Sequence, residues 1–91
     1  MGFFGSMFKK MGNAMMSQFG INRPGDALRV IDNIIRSGRN EEDKVRYARS
    51  ILMWLKELSL SADSQASEAN YVLDDIRRYH SNFLRDNDID V

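Results

Sequence analysis

Few residues of this chain could take part in catalysis or metal binding. The sequence has no cysteine and one histidine, which excludes thiolate metal sites and a zinc site built from imidazoles. His80 falls on the apolar stripe of a helical pattern beside Ile76, and we interpret it as a packed structural residue. The sequence contains no phosphate-binding glycine loop and no nucleophile elbow. We therefore predict a protein without catalytic residues, metal ligands, cofactors or a small-molecule substrate.

Two acidic groups near the end of the sequence could still suggest chemistry. Asp74 and Asp75 are adjacent, so on a helix they point about 100° apart, and we predict ion pairs with nearby arginines rather than an acid–base pair. The last six residues alternate aspartates like the first ligands of a calcium loop: Asp86, Asp88 and Asp90. The glycine and glutamate that an EF-hand requires further along do not follow, so we expect no such loop.

The first nineteen residues hold five of the six methionines and four of the five phenylalanines, with two lysines and no acidic residue. At 100° per residue, one side of a helix in this segment would carry five bulky apolar residues. They are Phe4, Phe8, Met11, Met15 and Phe19, while the segment also carries Lys9 and Lys10. We predict that residues 1–21 form an amphipathic arm and that these seven residues bind a partner or a membrane.

Three destinations for this arm are compatible with its composition. It could pack on its own bundle or on other copies of the chain, dock in a groove of a different protein, or lie on a membrane surface. Met1, Gly2 and Ser6 also fit the pattern for N-myristoylation, but Phe3 and Phe4 are bulky, and we favour an unacylated arm. No segment approaches the roughly 20 apolar residues of a membrane-spanning helix.

The rest of the sequence predicts a small all-α helical bundle. Pro24 and Gly25 mark a boundary, after which apolar residues recur at helical spacing in three segments. We predict a short helix at residues 26–37 and an antiparallel hairpin of residues 41–58 and 62–85. Gly38 is expected to end the first helix in a left-handed conformation, and Asn40 to cap the second. Ser61 or Ser64 is expected to cap the last helix. The bundle domain would span residues 22–85, followed by an acidic tail at residues 86–91.

Two further surfaces of the bundle are candidates for contacts. Six arginines between residues 23 and 49 could bind nucleic acid, but carboxylates four residues away should neutralise them, as in the expected Asp32–Arg36 and Glu42–Arg46 pairs. We consider a nucleic-acid partner unlikely for this reason. Tyr47 and Trp54 lie off the main apolar stripe of their helix, so they form either a second contact patch or a surface that the short helix or the arm covers.

Together these features predict a non-enzymatic interaction protein, namely a helical adaptor, assembly component or inhibitor. Its partner would be another copy of itself or a larger protein, because a core of this size supplies only about 3–5 kcal/mol unaided. The alternatives are a peripheral membrane protein that uses the same arm, and a small nucleic-acid-associated regulator that uses the arginines. We expect a cytoplasmic protein, either peripheral to a membrane or within a larger assembly.

Overall fold

The computed structural model describes residues 16–91, and every regular element in this range is helical. Residues 16–18 are helical and lead through a turn into four helices. These are α1 (Pro24–Arg36), α2 (Glu41–Ser59), α3 (Ala66–Tyr79) and α4 (Ser81–Asp86). The long helices α2 and α3 form a hairpin, and α1 packs against both of them. The predicted all-α bundle is therefore confirmed.

Helix α1 begins where the sequence carries its helix-starting signals. Pro24 occupies the first turn, where its missing N–H costs no hydrogen bond. Arg23 at the N-cap makes no side-chain cap, and Glu68 of α3 supplies one instead, because its Oε2 accepts a 2.6 Å hydrogen bond from the Gly25 amide. The same carboxylate lies 3.4 Å from Arg23 Nε. A side chain from the hairpin thus fixes the start of the short helix.

The end of α1 differs from the prediction, since Gly38 does not adopt the left-handed conformation. The helix ends at Arg36, and Ser37 follows it in an extended conformation with φ −71° and ψ 168°. Both the amide and the hydroxyl of Ser37 donate to the carbonyl of Ile34, the hydroxyl at 2.7 Å. These two hydrogen bonds satisfy the Ile34 carbonyl at the end of the helix. In a left-handed cap, the amide of Gly38 would donate to this carbonyl instead.

Helix α2 follows the prediction closely. Asn40 caps it, with its side-chain oxygen accepting a 2.8 Å hydrogen bond from the Asp43 amide, and three acidic residues occupy the first turn, where the helix dipole favours them. The face toward the bundle is buried over about three turns: Ala48, Ile51, Leu52, Trp54, Leu55 and Leu58.

The predicted helix at residues 62–85 is wrong in two respects. It begins at Ala66, because Ser61 Oγ accepts from the Asp63 amide and Asp63 Oδ1 from the Gln65 amide. Such local bonds hold the chain in turns in place of a helix, and no serine caps α3. The helix is also interrupted at His80, where ψ is 30°. After this break, α4 places Leu84 in the core with 6% exposure.

The core extends beyond the predicted domain limits at both ends. Met16 and Ile21, which precede residue 22, are 1% and 2% exposed and belong to the hydrophobic core. In the segment predicted as an acidic tail, Ile89 and Val91 pack against this core. The Ile89 amide donates to the Leu84 carbonyl at 2.8 Å. Apolar residues thus fasten the segments on either side of the helices to the bundle.

Candidate interaction surfaces

Residues 16–21, which the sequence analysis assigned to the end of the predicted arm and which we call the arm base, are anchored to the bundle by a compact turn. The amides of Phe19 and Ile21 both donate to the Met16 carbonyl at 3.0 Å. Between them, Gly20 has φ +81°, a left-handed conformation that glycine adopts without a steric penalty. The turn directs the Met16 and Ile21 side chains into the core together, so it fixes where the chain enters the bundle.

Tyr47 of α2 forms the contact surface for this turn. The rings of Phe19 and Tyr47 lie 5.5 Å apart in an edge-to-face arrangement with an interplanar angle of 70°. The guanidinium groups of Arg39 and Arg46 each lie 5.2 Å from the centroid of the Tyr47 ring. A hydrogen bond with the Tyr47 side chain, and next the charge of Asp43, raise the pKa of Arg46 above its ordinary value. One half-buried ring therefore connects the arm base to two cations.

The second residue of the predicted contact patch has a different environment. Trp54 is 8% exposed and belongs to the hydrophobic core, whereas Tyr47 is half-buried and packs against that core. Within residues 16–91 the two aromatic side chains are therefore covered to a large extent rather than presented as an open patch.

The other predicted arm residues lie outside the described part of the chain: Phe4, Phe8, Lys9, Lys10, Met11 and Met15. Of the predicted contact face, the structure describes Phe19, which is half-buried against the core. The sequence analysis overlooked Met16, which is more deeply buried. On a helix Met16 and Met15 differ by 100°, so a face drawn through Met15 excludes its neighbour. Ile21 offered a second signal in the sequence, since it is an apolar residue just before Pro24. In the structure its amide closes the same turn as Met16.

Most of the arginines in the basic middle segment have carboxylate partners. The ion pairs are Arg23–Glu68, Arg29–Asp26, Arg36–Asp32 and Arg46–Asp43. The expected partner of Arg36 is thereby confirmed, but Arg46 pairs with Asp43 at 2.8 Å and not with the expected Glu42. These carboxylates compensate the positive charge that phosphates would otherwise bind, so the described arginines form a weak basis for nucleic-acid recognition.

A groove of about 530 Å³ lies between α1 and the junction of α3 with α4. Its lining includes Asp32 and His80, whose Oδ1 and Nε2 atoms are 3.5 Å apart. The Asp32 carboxylate also lies 3.3 Å from Arg36 Nε. Since the seven lining residues include no serine, cysteine or lysine, this aspartate–histidine pair has no such nucleophile beside it in the groove. The pair joins α1 to the helix break at His80.

Of the two adjacent aspartates, Asp74 forms an ion pair. Asp74 Oδ1 lies 2.7 Å from Arg77 Nη1, as the sequence predicted for this helix. The same arginine donates through Nε to the Val91 carbonyl at 2.7 Å, and it therefore links α3 to the final segment. Within residues 16–91, no three His, Cys, Asp or Glu side chains are arranged to hold a metal ion. No helix in that range is long and apolar enough to cross a membrane.

Comparison of the chain with protein-family models, with curated proteins and with solved structures gave no match.

Proposed function

We propose that this protein is a non-enzymatic interaction module, a helical adaptor, assembly component or inhibitor that binds through its N-terminal arm. Phe4, Phe8, Met11 and Met15 supply the contact face, and Phe19 joins it to the bundle. The partner is a second copy of the chain or a larger protein. Long, flexible methionine side chains suit such a role because they adapt to partner surfaces of varied shape.

The observation that supports this proposal most strongly is the segregation of apolar side chains. Residues 1–15 contain four methionines and three phenylalanines without an acidic residue, an unusual density for a segment of this length. The following residues, Met16 to Ile21, are fixed on the bundle beside Tyr47. An anchored base fixes the point on the bundle at which residues 1–15 are joined to it, and fewer residues then have to be ordered on binding, which lowers the entropic cost.

A peripheral membrane protein is the second candidate, since Lys9 and Lys10 could approach anionic lipids while the phenylalanines enter the interface. Two cations provide only modest attraction, about 1 kcal/mol each near an anionic surface. Regulation through nucleic acid is the third candidate and has less support, because carboxylates compensate most of the described arginines.

The full-length chain carrying Phe4→Ser and Phe8→Ser tests this proposal against both alternatives. We expect sedimentation velocity and co-purification to show that the variant loses the self-association or the partner of the parent chain. Vesicle flotation, with and without anionic lipid, should give equal results for parent and variant. Unchanged assembly, solubility and partner recovery would refute the proposal, whereas flotation that depends on Phe4, Phe8 and anionic lipid would favour the membrane alternative.

A further inference from the structure

The side of α2 that faces away from the core has an unusual composition. Over the C-terminal half of the helix it consists of Arg49, Met53 and Lys56, and the C-cap residue Leu60 continues it; we call these four residues the outer face of α2. At 100° per residue these four positions fall within a 60° sector, so they line one side of the helix. Met53 is 57% exposed and Leu60 is 81% exposed. Two large exposed apolar side chains thus alternate with two cations along this face.

A groove of about 200 Å³ runs along this face, between α2 and the segment that follows α4. Its apolar lining comes from Leu52 and Met53 on one side and from Ile89 and Val91 on the other. Because Leu52 is 3% exposed and part of the core, the groove is supported by packed structure. Hydrogen bonds from Arg49 to the Asn87 carbonyl and from Arg77 to the Val91 carbonyl hold its second wall in place.

The cations of this face differ from the paired arginines elsewhere. Lys56 lies beyond ion-pair distance of any carboxylate within residues 16–91. The Nη2 atom of Arg49 donates to a carbonyl oxygen at 3.2 Å, which carries no formal charge and so does not neutralise the guanidinium. Asp90 contributes the one carboxylate of the groove lining. The side chains that line the groove therefore carry one net positive charge, and the two cations are seven residues apart, about 10 Å along the helix axis.

We propose that the outer face of α2 is a docking site for an acidic amphipathic helix of a partner protein. An apolar side chain of that helix fills the groove beside Met53 and Ile89. Carboxylates about two turns apart on the partner meet Arg49 and Lys56, and a second apolar residue covers Leu60. This is the helix-in-groove mode of recognition, in which apolar anchors supply affinity and flanking charges fix the orientation.

This site is separate from the arm base at residues 16–21. On α2, Tyr47, which contacts Phe19, lies about 150° around the helix from the centre of the outer face, so the arm base and the groove are on different sides of the helix. Binding at the groove consequently does not depend on the function proposed for residues 1–15. A protein with both surfaces could bring two partners together, as an adaptor does.

A displayed library of random 16-residue peptides, selected on the folded full-length chain, tests this site. We expect the enriched sequences to be acidic and amphipathic, with carboxylates about seven residues apart. Fluorescence anisotropy of the best peptide should show at least ten-fold weaker binding to Lys56→Glu and to Met53→Ser, and weaker binding as salt rises. Both positions are exposed, and circular dichroism checks that the variants fold. Arg78→Glu is the matched control, since Arg78 is exposed and lacks a carboxylate partner within residues 16–91.

Several results would overturn the proposal. These are a selection that yields no enriched peptides, enriched sequences without acidic residues, and peptides that bind the parent chain and Lys56→Glu equally well. Loss of affinity in Arg78→Glu to the same extent would indicate a general effect of charge.

Two further measurements address other occupants of the face. Self-association that Lys56→Glu abolishes would identify a second copy of the chain, and vesicle binding that it abolishes would identify an anionic membrane.

Discussion

Replacement of Met16 by alanine tests whether the bundle begins at the arm base. Met16 is 1% exposed and belongs to the hydrophobic core, although the sequence pattern placed the start of the bundle at residue 22. Alanine removes three heavy atoms from the side chain and leaves a cavity where the thioether packs. Met53→Ala is a matched control, because the same atoms are removed from a side chain that is 57% exposed.

The size of the effect follows from burial. Truncation of a buried methionine to alanine costs about 2–5 kcal/mol, through lost transfer free energy and the cavity that remains. A core of this size is expected to supply only about 3–5 kcal/mol of folding free energy unaided. Met16→Ala should therefore remove a substantial fraction of the stability. Exposed substitutions usually change it by less than about 0.5 kcal/mol, which is the result expected for Met53→Ala.

Urea unfolding measures the stability of both variants. The fluorescence of Trp54, the one tryptophan of the chain, reports on the core, and circular dichroism at 222 nm provides an independent signal. With an m-value of about 1–1.5 kcal/mol/M, Met16→Ala should lower the midpoint by at least about 1.3 M. Equal, small shifts for the two variants would refute the assignment of Met16 to the core and would move the start of the bundle back toward residue 22.

Three further substitutions test individual contacts by urea unfolding. Asn40→Ala should cost about 1 kcal/mol, because α2 loses its N-cap; no change would mean that the cap is redundant. Glu68→Ala should cost about 1 kcal/mol through the lost hydrogen bond to the Gly25 amide. Glu57→Ala, at an exposed position, is the control and should change the stability little. Equal losses for the two variants would contradict the capping of α1 by Glu68. Tyr47→Leu should cost about 1 kcal/mol by removing the edge-to-face ring contact and the cation–π contacts, and a stability equal to that of the parent would show that these contacts contribute nothing.

Much of the helical architecture could be predicted because local signals and apolar periodicity agree. Asn40 precedes three acidic residues and a regular apolar stripe, and the structure places the cap and the buried face of α2 accordingly. The helix ends were predicted wrongly where side-chain hydrogen bonds compete with the usual signals for starting or ending a helix. Gly38 looked like the end of α1, yet Ser37 satisfies the Ile34 carbonyl itself. The turn around Asp63 likewise delays the start of α3.

Contacts between segments distant in sequence could not be predicted from periodicity. The cap that Glu68 provides to α1 spans 43 positions, and no pattern within either helix indicates it. The packing of Ile89 and Val91 on the core was also missed, because the three aspartates of this segment suggested a solvated tail. The outer face of α2 became recognisable only when the structure showed which cations have carboxylate partners and which do not.

The central claim is that the N-terminal arm contacts another polypeptide. Incorporation of the photoreactive residue p-benzoylphenylalanine in place of Phe8 in the full-length chain, followed by irradiation of cells that express the protein, measures this contact directly. Our account predicts a cross-linked species heavier than one chain, with Phe8 joined to a second copy or to a different protein. Mass spectrometry that finds residue 8 cross-linked solely within its own chain would contradict it.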